Sequence, residues 1–173
     1  MTTYGHYGVS TNLAGALRVS IGTSSCSSAS TASQLDIATS NGAAAYPHLG
    51  LVAGAANTAP TNNLAAGSSN YAYLSGVAQT SPGAPAVAAG NTYTAASGRA
   101  AGTESAIWTY DAASGAVGAQ WINGDGSVAP TYVVYSQADS SLLATGDVAK
   151  FRDAFGSANK PVVTFKLITA IAS

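Results

Sequence analysis

Apolar residues in this chain recur at every second position, in short runs closed by turn residues. That pattern restricts the fold more than any other feature. Leu17, Val19 and Ile21 alternate with Arg18 and Ser20. Such alternation sets one face of an extended segment against a core and the other in solvent. Leu35 and Ile37 repeat it in "QLDIATS" (34–40). The segments 8–22 and 34–40 are therefore expected to pair as a first hairpin around a loop over "TSSCSSASTAS" (23–33). "YPHLGLVAGAAN" (46–57) predicts a third strand interrupted by glycines. "YAYLSGVAQT" (71–80) sets Tyr71, Tyr73, Ser75 and Val77 on one face and Ala72, Leu74, Gly76 and Ala78 on the other. Both faces are apolar or aromatic, which predicts a central strand. "SPGAPAVAAGN" (81–91) reads as a Pro/Gly loop and "TYTAAS" (92–97) as a short strand.

From residue 104 the punctuation is regular. "ESAIWTY", "AVGAQWIN", "TYVVYS" and "LLAT" read as strands separated by "DAASG", "GDGSVAP" and "QADSS", a β-meander with turn chemistry at each reversal. The period then changes to helical. In "GDVAKFRDAFG" (146–156), Val148, Phe151 and Phe155 share a helix face, with Asp147 as N-cap and Gly156 as stop. "PVVTFKLITAI" (161–171) closes the chain as a strand with Val163, Phe165 and Leu167 on one face. The expected fold is a single domain over 1–173 and mainly β. It has nine or ten strands in a two-sheet antiparallel β-sandwich with one short C-terminal α-helix, and a closed β-barrel is the alternative.

Composition excludes several function classes. Only 8% of residues are charged and the formal net charge is −1. Nucleic acid is not an expected partner, because neutralising its phosphates takes many Lys and Arg. A membrane is not expected either, since no stretch is apolar for long enough to span one and there is no polybasic anchor. The single cysteine, Cys26, forbids an intramolecular disulfide and reads as a spare thiol. No charged-then-apolar leader opens the chain and no N-x-[ST] sequon occurs, so a signal peptide and N-glycosylation are not expected. Compartment stays open between the extracellular space and the cytosol.

Catalytic constellations are sparse, and the chain is not expected to be an enzyme. The histidines are His6 and His48, and no G-x-S-x-G elbow accompanies them. Glu104 is the sole glutamate, so a glycosidase pair would need an Asp partner. Asp111, Asp125, Asp139 and Asp147 sit where short acids cap turn or helix amides. "NGDGS" (123–127) resembles the start of a calcium loop but lacks the distant bidentate Glu. Neither zinc spacing nor a phosphate loop is present, so no metal site and no obligatory cofactor are expected.

Binding by aromatic residues remains. Tyr outnumbers the other aromatics, nine against three Phe and two Trp, and Tyr and Trp join an apolar face to a polar tip. Tyr71 and Tyr73 share a strand face. The relative facing of Trp108 and Trp121 depends on the loop between their strands. Gly115 suits the last, left-handed position of a four-residue loop. That register pairs Trp108 with Ala119, sets Trp121 diagonally beside it and puts Tyr110 on the same face. The face is either the inner core of the sandwich or one wall of a cavity.

"SAIWTYDAASGAVGAQWINGDGSVAPTYVVY" followed by "LLATGDVAKFRDAFG" resembles a pattern in small, uncharacterised β-rich proteins of mushroom-forming (basidiomycete) fungi. "YGVSTNLAGALRVSIG" and "YAYLSGVAQTSPGA" resemble it more loosely. The resemblance implies an abundant fruit-body protein and no catalytic residue. It suggests two roles: carriage of an apolar small molecule, as in fruit-body pigment-binding chromoproteins, or a lectin. The leading expectation is a non-enzymatic protein holding a small apolar or conjugated ligand, a pigment among the candidates, non-covalently at Trp108, Trp121, Tyr110, Tyr71 and Tyr73. The alternatives are a lectin, with Trp121 or Tyr132 presented beside Asn123 and Asp125 to a glycan, and a structural or storage protein with no ligand. Assembly into a homo-oligomer is compatible with each.

Overall fold

A computed structural model describes residues 5–22, 31–58 and 62–167. Cys26 and residues 168–171 of the expected last strand lie outside them. The largest sheet is antiparallel throughout and runs β1 (Val19–Ile21), β3 (Ile37–Thr39), β4 (His48–Ala53), β5 (Tyr71–Val77), β12 (Ser141–Thr145), β11 (Tyr132–Ser136). On β4, the edge opposite β5 is shared by β3 and β6 (Thr103–Glu104). A second sheet runs β13 (Phe165–Lys166), β8 (Ala116–Ala119), β7 (Trp108–Asp111), β2 (Thr31–Leu35), and β9 (Trp121–Ile122) pairs with β10 (Val128–Ala129) as a separate ribbon. The architecture is the expected mainly-β, antiparallel one, with the large sheet curled toward a half-barrel over the second.

The strands are shorter and more numerous than the alternation predicts, because three expected strands break and change sheet. Leu35 pairs with Trp108 in the second sheet, whereas Ile37 pairs with Leu49 in the first. Asp36 is the single residue between them, and residues 31–33, expected in a loop, belong to β2. "ESAIWTY" divides between β6 and β7 in the same way. One polar network holds both corners. The Ser105 hydroxyl donates to Asp36 (2.6 Å), Gln79 donates to the other Asp36 oxygen (2.8 Å), and Thr80 and Ser105 exchange amide-to-hydroxyl bonds of 2.9 and 2.8 Å. At these corners ladder bonds lapse and side-chain bonds replace them.

The third break is at Gln120. The β7–β8 hairpin has the expected register, Trp108 opposite Ala119, around a four-residue loop that ends at Gly115 with φ +71°. The Gln120 amide bonds Ile107 O, and the chain then leaves for the β9–β10 ribbon. The expected continuous strand through Trp121 is therefore two strands, and the meander is three hairpins in three sheets.

Segment 92–97 is a helix rather than the expected strand. This α1 (Thr92–Ser97) is capped by the Asn91 side chain, which accepts from the Thr94 amide (2.7 Å), and closed by Gly98 at φ +71°. Two caps outweigh the strand preference of Thr and Tyr over one turn and a half. α2 (Val148–Phe155) forms as expected, with Asp147 accepting from Lys150 N (3.0 Å).

β5 divides the interior. Ala72 and Leu74 face the main core between the two sheets, while Tyr71, Tyr73 and Val77 face the opposite side, where Phe151 of α2 and Tyr93 of α1 cover them. Gly50 in β4 has backbone on one flank and core on the other: a Cβ there would lie 2.3 Å from Glu104 O and 2.5 Å from Val77 Cγ2. Gly50→Ala should push β6 off β4 and lower the unfolding free energy by about 2–3 kcal/mol, read as a lower urea midpoint. An unchanged midpoint would show that β6 pairing is dispensable.

Candidate functional site

The two sheets share the β2/β3 corner and diverge away from it. Between β1 and β3 on one side and β8 and β13 on the other they leave a groove of about 1210 Å³. Its inner wall is the core face of the large sheet: Ile37, Leu49, Leu74 and Leu142. Trp108, Val117 and Phe165 of the second sheet face them, with the Trp108 and Phe165 rings edge to face at 6.3 Å. Small residues, among them Gly8, Gly15, Ala16 and Ala43, also line the groove. The rim is apolar as well: Val9 is 50%, Val19 41% and Leu167 37% exposed.

Polar groups are few and mostly committed. Asn41 fixes the rim by accepting from Arg18 N (2.7 Å) and donating to Ala16 O (2.8 Å). Asp139 and Lys166 supply the charges on the lining. Asp139 accepts from the Ser141 hydroxyl at 2.8 Å. Burial works against its charge, but the bonds from Ser136 and Ser141 outweigh it and hold the carboxyl below its usual range.

The five residues expected at the site fall in different places. Trp108 forms the floor of the groove. It is 1% exposed, and its indole N–H donates to Leu49 O at 2.7 Å, tying β7 to β4. Trp121 is equally buried in the same core but does not line the groove. Tyr110 is half-buried against that core, opposite Val117. Tyr71 and Tyr73 lie across the sheet from both tryptophans. Their hydroxyls are bonded at 3.0 Å, and Tyr71 meets the edges of Phe151 and Phe155 at 5.6 and 5.2 Å. The five are not one constellation. The sequence marks Leu17, Ile21, Ile37 and Leu74 as apolar strand positions but not as lining of a groove, because alternation marks a buried face without saying whether protein or a cavity lies against it.

The catalytic candidates are structural in their geometry. His6 pairs with Ser75 across a short bridge and feels the charge of Asp139, which superficially assembles serine, histidine and acid. His6 is 2% and Ser75 0% exposed, so no substrate carbonyl has an approach path to them. Glu104 is 2% exposed and accepts from Ile122 N at 3.0 Å, linking β6 to the β9–β10 ribbon. Burial pushes its carboxyl up to about 8, against the pull of the Ile122 and Ala86 amides.

The residues proposed for glycan contact are also committed. Asn123 uses both side-chain atoms on the Leu64 backbone (2.9 and 3.1 Å), and Asp125 closes its turn on Ser127 (2.9 and 2.6 Å). Trp121 is buried beneath them, and only Tyr132, 49% exposed, presents a ring to solvent. Among the described residues no group of three His, Cys, Asp or Glu is placed to hold a metal, and no helix is long and apolar enough to cross a membrane. No protein-family model, curated protein or solved structure matches the chain.

Proposed function

We propose that this chain is a non-enzymatic binding protein that carries a small, largely apolar molecule in the groove between its sheets. The groove itself carries the reading: a space of about 1210 Å³ floored by Trp108 and walled by aliphatic side chains. Sites for small molecules are typically concave and mostly apolar, with a few fixed polar groups. A conjugated molecule would find the part-exposed Phe165 ring, backed by Trp108, as a contact surface, and the resemblance to fruit-body proteins makes a pigment the first candidate to look for.

Two measurements test the proposal. Protein taken from its own source and denatured should release a small molecule detectable by mass spectrometry. Recombinant protein should bind the neutral dye N-phenyl-1-naphthylamine. Leu17 lies half-buried on the lining, so Leu17→Glu tolerates its charge at the rim while exposing an apolar guest to it. The affinity should fall about tenfold, equivalent to ~1.4 kcal/mol. A chain that binds no apolar molecule in either experiment would refute the function.

A further inference from the structure

The ladder between β5 and β12 is incomplete, and the gap is filled by the chain's own N-terminal segment. The two strands pair directly only over Tyr71–Tyr73 and Leu143–Thr145. Beyond that point Gly5–Tyr7 lies between them: Tyr7 N donates to Leu74 O (2.8 Å), and Leu142 N donates to Tyr7 O (3.2 Å). Thr92 of α1 fastens the same segment by donating its hydroxyl to Gly5 O. Gly5 has φ +78° and passes so close to the Thr92 carbonyl that a Cβ would lie 2.3 Å from its oxygen. The next residues, Tyr7 to Ser10, form one wall of the groove. A single segment is therefore both a wedge in the sheet and part of the binding site.

His6 sits at the centre of the wedge. Its ring stacks on Tyr73 at 4.5 Å and 2°, with Tyr93 beyond at 6.3 Å. Among the described residues, the titratable groups around it are the phenols of Tyr73 on β5 and Tyr93 on α1, and the carboxylate of Asp139 in the turn before β12. One anion faces it against burial among rings. Burial dominates and holds the imidazole below its ordinary value of 6.5, with Asp139 pulling the other way. A proton on His6 is thus better accommodated in water than in the wedge.

We propose that Gly5–Ser10 is an acid-released latch on the groove: a proton taken up by His6 withdraws the segment from between β5 and β12, and the Tyr7–Ser10 wall of the groove goes with it. The regulatory role rests on the reading of the groove as a binding site, whereas the withdrawal itself does not. The folded protein binds its proton on His6 less readily than the unfolded chain does. The latch therefore holds above pH 6.5 and is lost as the pH falls through the depressed value.

The test uses the full chain at a series of pH values. Hydrogen exchange of the Tyr7 and Leu142 amides is expressed as protection factors and compared with amides paired between β4 and β5. N-phenyl-1-naphthylamine affinity is measured in parallel. In the wild type, protection of Tyr7 and Leu142 should fall by up to about tenfold per pH unit from pH 6.5 down to the depressed His6 value and level off below it, with dye affinity following, while β4–β5 stays protected. His6→Phe keeps a ring on Tyr73 and removes the proton site, so both readouts should become flat. Asp139→Asn removes the carboxylate that favours the proton in the folded state, so the fall in protection should begin at the same pH but run deeper and level off at a lower pH. This second variant decides the matter if His6→Phe does not fold. The latch is overturned if wild-type protection at Tyr7 and Leu142 is insensitive to pH, or if neither variant changes the depth of its decline. A chain whose amides respond but which binds no dye at neutral pH keeps the latch and loses the binding function.

Discussion

Replacing Trp108 with alanine should lower the unfolding free energy by about 4 kcal/mol, the range for removing a large buried ring. Three losses combine. The indole is 1% exposed and fills the junction of the two sheets, its N–H bond to Leu49 O disappears, and that carbonyl is left without the donor. Trp121→Ala should cost a similar amount, since its ring is equally buried in the same core. The two variants part in binding. Trp108 floors the groove and Trp121 does not line it, so only Trp108→Ala should weaken N-phenyl-1-naphthylamine by about tenfold or more under folded conditions. Urea titration gives the first quantity and dye titration the second. Equal loss of dye binding in both variants would mean that the groove responds to core integrity alone.

The second large effect is a dependence of stability on pH set by Glu104. In the unfolded chain its carboxyl ionises near 4.5, and in the fold at about 8. Between those values the folded protein holds a proton that the unfolded chain has released. Glu104's contribution to stability is therefore full below about pH 4.5 and lost as the pH rises to about 8, roughly 5 kcal/mol across the window. Burial is the cause, and the Ile122 and Ala86 amides reduce the shift. Glu104→Gln cannot titrate, so its urea midpoint should lack this decline whatever its absolute stability. His6 contributes a slope of the opposite sign below 6.5, which the substitution leaves in place. If the wild type and Glu104→Gln run parallel from pH 5 to pH 8, the carboxyl is ionised in the fold and the assignment fails.

Local chemistry was legible wherever a few adjacent residues decide the outcome. Asp111 accepts from the Ala113 and Ser114 amides, and Gly115 takes the left-handed position, so the β7–β8 loop length and register follow from six residues. The α2 cap at Asp147 is as local. The Asn91 and Gly98 caps of α1 were equally present in the sequence, but "TYTAAS" is too short for helical periodicity to show and its β-branched and aromatic residues favour a strand. The two faces of β5 were visible by alternation. What lies against each was not: Leu74 lines a cavity and Val77 a closed core, although both are apolar residues of one strand.

The sequence by itself determined the β class, the antiparallel hairpins, the turn roles of Asp111, Asp125 and Asp147, and the C-terminal helix. These rest on the pleat's period of two and on hydrogen bonds spanning two to four residues. Only the tertiary structure decided that Trp108 and Trp121 enter one core from different sheets, that Tyr71 and Tyr73 lie on the far side of the sheet, and that Gly5–Tyr7 completes the ladder between β5 and β12. Those outcomes depend on partners distant in the chain, such as Leu49 for Trp108 and Leu142 for Tyr7. A period of two states which side chains share a face. The non-local pairing of strands decides what that face meets, and here one stretch of it meets open space.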